Sequence, residues 1–146
     1  VESLVPRLTL SCTFALLVIG LVGCAEKSTG AKPTVMKGRL TKGGQPLQVP
    51  NVAGRVQLTF YPYRDNRKEL VDPNEATVNF ADGTFEIRGL DGKGIPPGKY
   101  RVVVRQWMNF PSDDALKGAY ALDRTPLVID VVAGEDILID LPAAKK

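Results

Sequence analysis

The chain has 146 residues, with 19 Lys and Arg against 16 Asp and Glu and a formal net charge of +3, which fits one small domain with a nearly balanced surface. The basic residues are scattered, so no stripe or patch of them points to nucleic acid. Histidine is absent, which excludes Ser-His-Asp and Cys-His catalysis, His-ligated zinc, and a general base that titrates naturally near neutrality.

After Glu2 and Arg7 comes an uncharged apolar run, Leu8 to Val22. A membrane-spanning helix needs about 20 apolar residues. This run ends sooner, at Gly23-Cys24, and has the length of the apolar helix of a signal peptide, here residues 1–23. Its last residues, Leu21-Val22-Gly23-Cys24, resemble the bacterial lipoprotein signal, in which a large apolar residue and small residues precede the cysteine. That resemblance implies that Cys24 begins the mature protein and carries acyl chains such as palmitate through its sulfur, while Cys12 leaves with the signal. At about 0.8 kcal/mol per buried CH₂, two chains anchor a protein effectively permanently. The expected place is the bacterial cell envelope, outside the cytoplasm, with the membrane as the first partner. Residues 24–34 contain Gly, Ser, Pro, Lys and Glu but no large apolar side chain, and read as a flexible tether.

Residues 35–146 are rich in Gly and Pro, and their apolar residues come in short runs, which favours an all-β domain. Val35 to Lys42 is the first predicted strand, closed by Gly43-Gly44. Gly54 to Tyr61 follows, with Val56, Leu58 and Phe60 on one face and Gln57, Thr59 and Tyr61 on the other. Glu75 to Ala81 places Ala76, Val78 and Phe80 together. Asp82-Gly83 turns the chain into Thr84 to Arg88, with Phe85 and Ile87 inward. Lys99 to Trp107 has Tyr100, Val102 and Val104 toward the core, and its valine run predicts a central strand with a neighbour on each side. Pro126 to Val132 and Asp136 to Leu141, joined through Ala133-Gly134-Glu135, complete seven strands. That number suits an immunoglobulin-like, or prealbumin-like, β-sandwich. The one long irregular segment is Met108 to Thr125.

Taken in order, Lys37-Gly38-Arg39-Leu40, Gly44-Gln45-Pro46-Leu47, Phe60-Tyr61-Pro62, Ala81-Asp82-Gly83-Thr84-Phe85-Glu86-Ile87 and Ile95-Pro96-Pro97-Gly98-Lys99-Tyr100-Arg101-Val102 resemble the carboxypeptidase-regulatory-like, or transthyretin-like, domains of small bacterial lipoproteins. Tyr120, Thr125-Pro126-Leu127 and Val131 to Glu135 resemble the closing segment of that family. The resemblance implies a sandwich that is usually non-enzymatic and serves as an accessory or binding module. The enzymatic branch of the wider fold, which hydrolyses 5-hydroxyisourate, requires histidines that this sequence lacks.

Trp107, Phe110 and Tyr120 bracket the long loop. Exposed aromatics supply broad apolar area with a polar edge and stack on sugar rings or on protein partners, so these three are the expected recognition surface. The alternative is that Trp107 covers the end of the core and Tyr120 packs the loop down. Asp113, Asp114 and Asp123 carry the oxygen ligands that Ca²⁺ takes, yet their spacing matches no EF-hand. Pro111-Ser112 before them reads as a turn, so a solvated loop without metal is expected. No cofactor is expected. The expected function is a membrane-anchored, non-catalytic structural or protein-binding module of the envelope, with a carbohydrate-binding accessory domain as the alternative.

Overall fold

The computed structural model describes residues 31–47, 49, 52–65 and 72–143; the expected signal peptide, Cys24 and most of the tether lie outside them. The described residues form eight strands and no helix: β1 (Met36–Lys42), β2 (Gln45–Pro46), β3 (Arg55–Pro62), β4 (Asn74–Val78), β5 (Thr84–Ile87), β6 (Gly98–Trp107), β7 (Val128–Val131) and β8 (Ile137–Leu141). All seven predicted strands are present. The two-residue β2, folded back on β1 by Gly43 and Gly44 at φ 60° and 77°, is an addition.

The sheet is continuous. β1 is flanked by β5, antiparallel, and by β8, parallel, so that Gly38 faces Phe85 on one side and Ile137 on the other. From β5 the order runs through β4 and β3 to β6 and β7. β7 and β8 therefore lie at opposite ends of the path, although only Val132 to Asp136 separates them in the chain. A connection that short reaches at most roughly 20 Å, so the sheet must curl until its end strands come close. Curling places Phe60 of β3 against both Phe85 of β5 and Tyr100 of β6, with ring centroids 5.9 and 6.3 Å apart. Leu40, Leu58, Ile87, Val102, Val104 and Leu141 are fully buried around them. Removing such apolar surface from water is the main favourable term in the fold.

Phe80 departs from the expected pattern. Ala76 and Val78 pack on the core, whereas Phe80 is 41% exposed. The strand stops at Val78 because Asn79 and Asp82 turn the chain with their side chains: Asn79 Oδ1 accepts the Ala81 N–H, and Asp82 Oδ1 accepts both the N–H and the hydroxyl of Thr84. These bonds offer the backbone an alternative to the ladder. On β8, Asp140 Oδ1 accepts the Gly44 N–H at 3.0 Å and the Thr41 hydroxyl at 2.7 Å. The Gly44 bond, then the Thr41 bond, hold its carboxyl below the ordinary 3.8.

Gly38 lies where β1, β5 and β8 meet, and a Cβ there would sit under 3.0 Å from the Ile137 carbonyl oxygen and the Phe85 ring. Gly38→Ala is expected to cost about 1–3 kcal/mol through forced backbone and ring displacement. Urea denaturation checks this by a lower midpoint at unchanged slope.

Candidate recognition cleft

β4 changes partners at Ala76. Asn74 to Ala76 pair with β3 at Leu58 to Phe60, whereas Ala76 to Val78 pair with β5. The first residues of β3, Arg55 to Gln57, are thus left without β4 beside them, and a cleft of about 260 Å³ opens there. Arg55, Gln57, Glu75, Trp107 and Phe110 line it together with Val56 and Ala76.

Glu75 and Ala76 are placed by β4 pairing with β3, and the others by the β3–β6 ladder or by the loop that follows it. Arg55 is the register partner of Trp107, and Gln57 that of Arg105. Phe110 comes after the strand and is fixed by its N–H, which donates to the Ala53 carbonyl at 2.8 Å. The Trp107 and Phe110 rings meet edge to face, with centroids 5.6 Å apart and planes at 83°. The Arg55 guanidinium carbon stands 4.8 Å from the Phe110 centroid, a separation at which a cation is attracted to the ring face. Gln57 Nε2 donates to Glu75 Oε1. The result is an apolar corner beside an amide–carboxylate pair and a cation. Phe110 remains 48% exposed.

Two of the three expected aromatics are therefore brought together, and the third is not. Tyr120 packs against the core, and burial raises its phenol above the ordinary 10.0. Its carbonyl accepts the Val104 N–H. Tyr120 is thus a packing residue of the loop, and is not among the residues lining the cleft. Arg55, Gln57 and Glu75 were not expected as site residues, since each reads in sequence as an ordinary outward polar position.

The loop of Met108 to Thr125 is ordered by its own bonds to β6. β7 covers the β6 edge only from Gly98 to Arg101. Beyond that point the loop, and Leu127 just after it, supply the partners that buried backbone groups require: Val102 N–H donates to Leu127 and Val104 N–H to Tyr120, while Ala115 N–H donates to the Gln106 carbonyl. Thr125, 1% exposed, donates its hydroxyl to the Val102 carbonyl at 2.7 Å. Asp114 accepts three backbone N–H groups, from Gln106 at 2.9 Å and from Leu116 and Gly118 at 3.0 Å. This carboxylate is a clasp. Among the described residues no group of three or more acidic or thiol side chains is placed to hold a metal.

A larger depression of about 510 Å³ lies along β1, β5 and the end of β4. Of its two acids, Glu86 and Asp136, Glu86 is paired with Arg88 at 2.8 Å, and it lacks the aromatic corner of the cleft.

No family model matches the chain, and neither does any curated protein. Among solved structures it is similar to a DUF3823 family protein from Parabacteroides merdae, with 25% identity and a TM-score of 0.39. The match covers 77% of this chain and 46% of that one, so the chain spans less than half of that protein's length.

Asp114→Ala leaves three N–H groups without their acceptor and is expected to cost about 2–3 kcal/mol. Chemical denaturation measures the loss, and amide exchange is expected to rise at Leu116 and Gly118.

Proposed function

We propose that this chain is a lipid-anchored, non-catalytic binding module of the bacterial cell envelope, a prealbumin-like β-sandwich of the transthyretin-like kind that engages envelope polysaccharide at Trp107 and Phe110. The sandwich reading is supported by the curl of the sheet and by the inner faces of β1, β5 and β8 packing with those of β3 and β6 in one core. Anchoring rests on Leu21-Val22-Gly23-Cys24 and the tether that follows.

The observation that carries the ligand reading is the apolar corner of Trp107 and Phe110 set against Gln57 and Glu75. A pyranose presents an apolar ring face rimmed by hydroxyl groups. The corner suits the face, and the amide and carboxylate suit the rim, since between them they donate and accept. Among the described residues a single carboxylate, Glu75, lines the cleft, whereas glycoside hydrolysis generally employs a pair of them.

A protein segment is the second occupant this surface suits. Trp and Arg are the side chains that most often anchor protein interfaces, and the contact of Arg55 with Phe110 and of Phe110 with Trp107 supplies both.

Two experiments test the reading. With the full chain in detergent micelles, retention on insoluble envelope polysaccharide is expected, and Trp107→Ala is expected to weaken it at least about tenfold, the loss of ~1.4 kcal/mol or more of stacking. Retention unchanged by Trp107→Ala overturns the cleft; capture of a defined envelope protein in place of polysaccharide, lost in the same variant, selects the second occupant. Separately, Cys24→Ala is expected to move the protein from the membrane to the soluble fraction, and intact mass is expected to show acyl groups only on the native chain.

A further inference from the structure

We propose that Arg101, Lys99 and Tyr63 form a binding site for a phosphate-type oxyanion, separate from the cleft. Arg101 lies in β6 between Tyr100 and Val102, which both belong to the core. Strand alternation sends its side chain to the opposite face. An arginine on an outer face is normally solvated, yet Arg101 is only 6% exposed. Among the described residues its Nε has no hydrogen-bond partner and no carboxylate forms an ion pair with it.

The group against it is Tyr63, which follows β3 and is held by its N–H donating to the Lys99 carbonyl at 2.8 Å. The Arg101 guanidinium carbon stands 5.0 Å from the Tyr63 ring centroid, and Lys99 Nζ stands 5.8 Å from the same centroid. Two cations therefore converge on one phenol ring. The register partners of Arg101 are Tyr61 and Val128, both uncharged, and the nearest acid in register is Asp130, opposite Lys99. A ring quadrupole attracts a cation, but offsets little of the cost of withdrawing a guanidinium from water.

What this cluster lacks among the described residues is an acceptor with negative charge and several oxygens. A guanidinium fork matches two oxygens of a tetrahedral phosphate, and a lysine ammonium on a flexible stem reaches another. Lys99 is exposed, so the oxyanion enters from its side of the Tyr63 ring. The location narrows the source. Thr34 and Ile95 exchange backbone hydrogen bonds of 3.1 and 3.0 Å just before β6 begins, so the cluster lies beside the point where the tether joins the domain. Lipid headgroup phosphate and free phosphate share the chemistry; only the lipid source depends on anchoring through Cys24.

The test begins with thermal unfolding of the full chain in non-ionic detergent, in sodium phosphate against sodium chloride of equal ionic strength. Phosphate at about ten times its Kd is expected to raise Tm by about 5 °C. Arg101→Met is expected to abolish that rise while leaving Tm in chloride unchanged or higher, because an unpaired buried charge is removed. Lys99→Met is expected to weaken phosphate several-fold, and Trp107→Ala to leave the rise intact. Should Arg101→Met not fold, Arg101→Lys, which keeps the charge and loses the fork, is expected to raise the phosphate Kd at least about tenfold. No rise in the native chain, or a rise that survives substitution of Arg101, overturns the site. In a second arm, the native chain is reconstituted through its anchor into vesicles of phosphatidylglycerol or of a phosphate-free glycolipid: an Arg101-dependent rise in Tm in phosphatidylglycerol alone assigns the oxyanion to lipid, and a response to added phosphate with no difference between the two vesicles assigns it to a soluble phosphate.

Discussion

The β3–β6 ladder is the constraint on which the other features depend. Eight register pairs run from Arg55↔Trp107 to Pro62↔Tyr100. Because side chains alternate, a slip of one residue would carry Leu58, Phe60, Val102 and Val104 out of the core and bring charged residues in. The same register places Trp107 beside Arg55 at one end and Tyr63 beside Lys99 and Arg101 at the other. Core, cleft and cationic cluster are three outcomes of one alignment.

Polar groups elsewhere in the domain are matched with care. The Asp114 carboxylate takes three N–H groups, Thr125 bonds on both sides through its hydroxyl, and Asp140 joins β8 to the turn after β1. Buried donors and acceptors are costly when left unpaired, which is why native domains satisfy nearly all of them. Against that background the Nε of Arg101, without a partner among the described residues, stands apart. It occurs where a second cation, Lys99, would make the local field still less favourable without an anion.

Much of the fold was legible because the strands alternate. Period alone puts Leu58 and Phe60 on one face and turns Phe85, Ile87, Tyr100, Val102 and Val104 inward, and all seven are buried. Pairing between distant strands leaves no such mark, so the parallel contact of β8 with β1 could not be read. Phe80 continued the apolar period, and only the hydrogen bonds of Asn79 and Asp82 end the strand before it. Trp107 and Phe110 announced a surface by their chemistry; Tyr120 had the same chemistry and went to the core. Gln57 and Glu75 were hidden because their importance comes from the change of partner by β4 at Ala76, a tertiary event. Nothing in the sequence marks Arg101 off from an outward charge, because its burial comes from the tertiary contact with Tyr63.

The placement of Thr34 against Ile95 fixes where the preceding chain meets the domain. Thr34 is held just before β6 begins, and Trp107 stands where β6 finishes. Ten residues of extended strand measure about 30 Å. In a chain moored through Cys24, the aromatic corner would stand at the tip remote from the bilayer, with the rigid sheet as a standoff. A stiff polymer meshwork that never descends to the headgroups would then come within range.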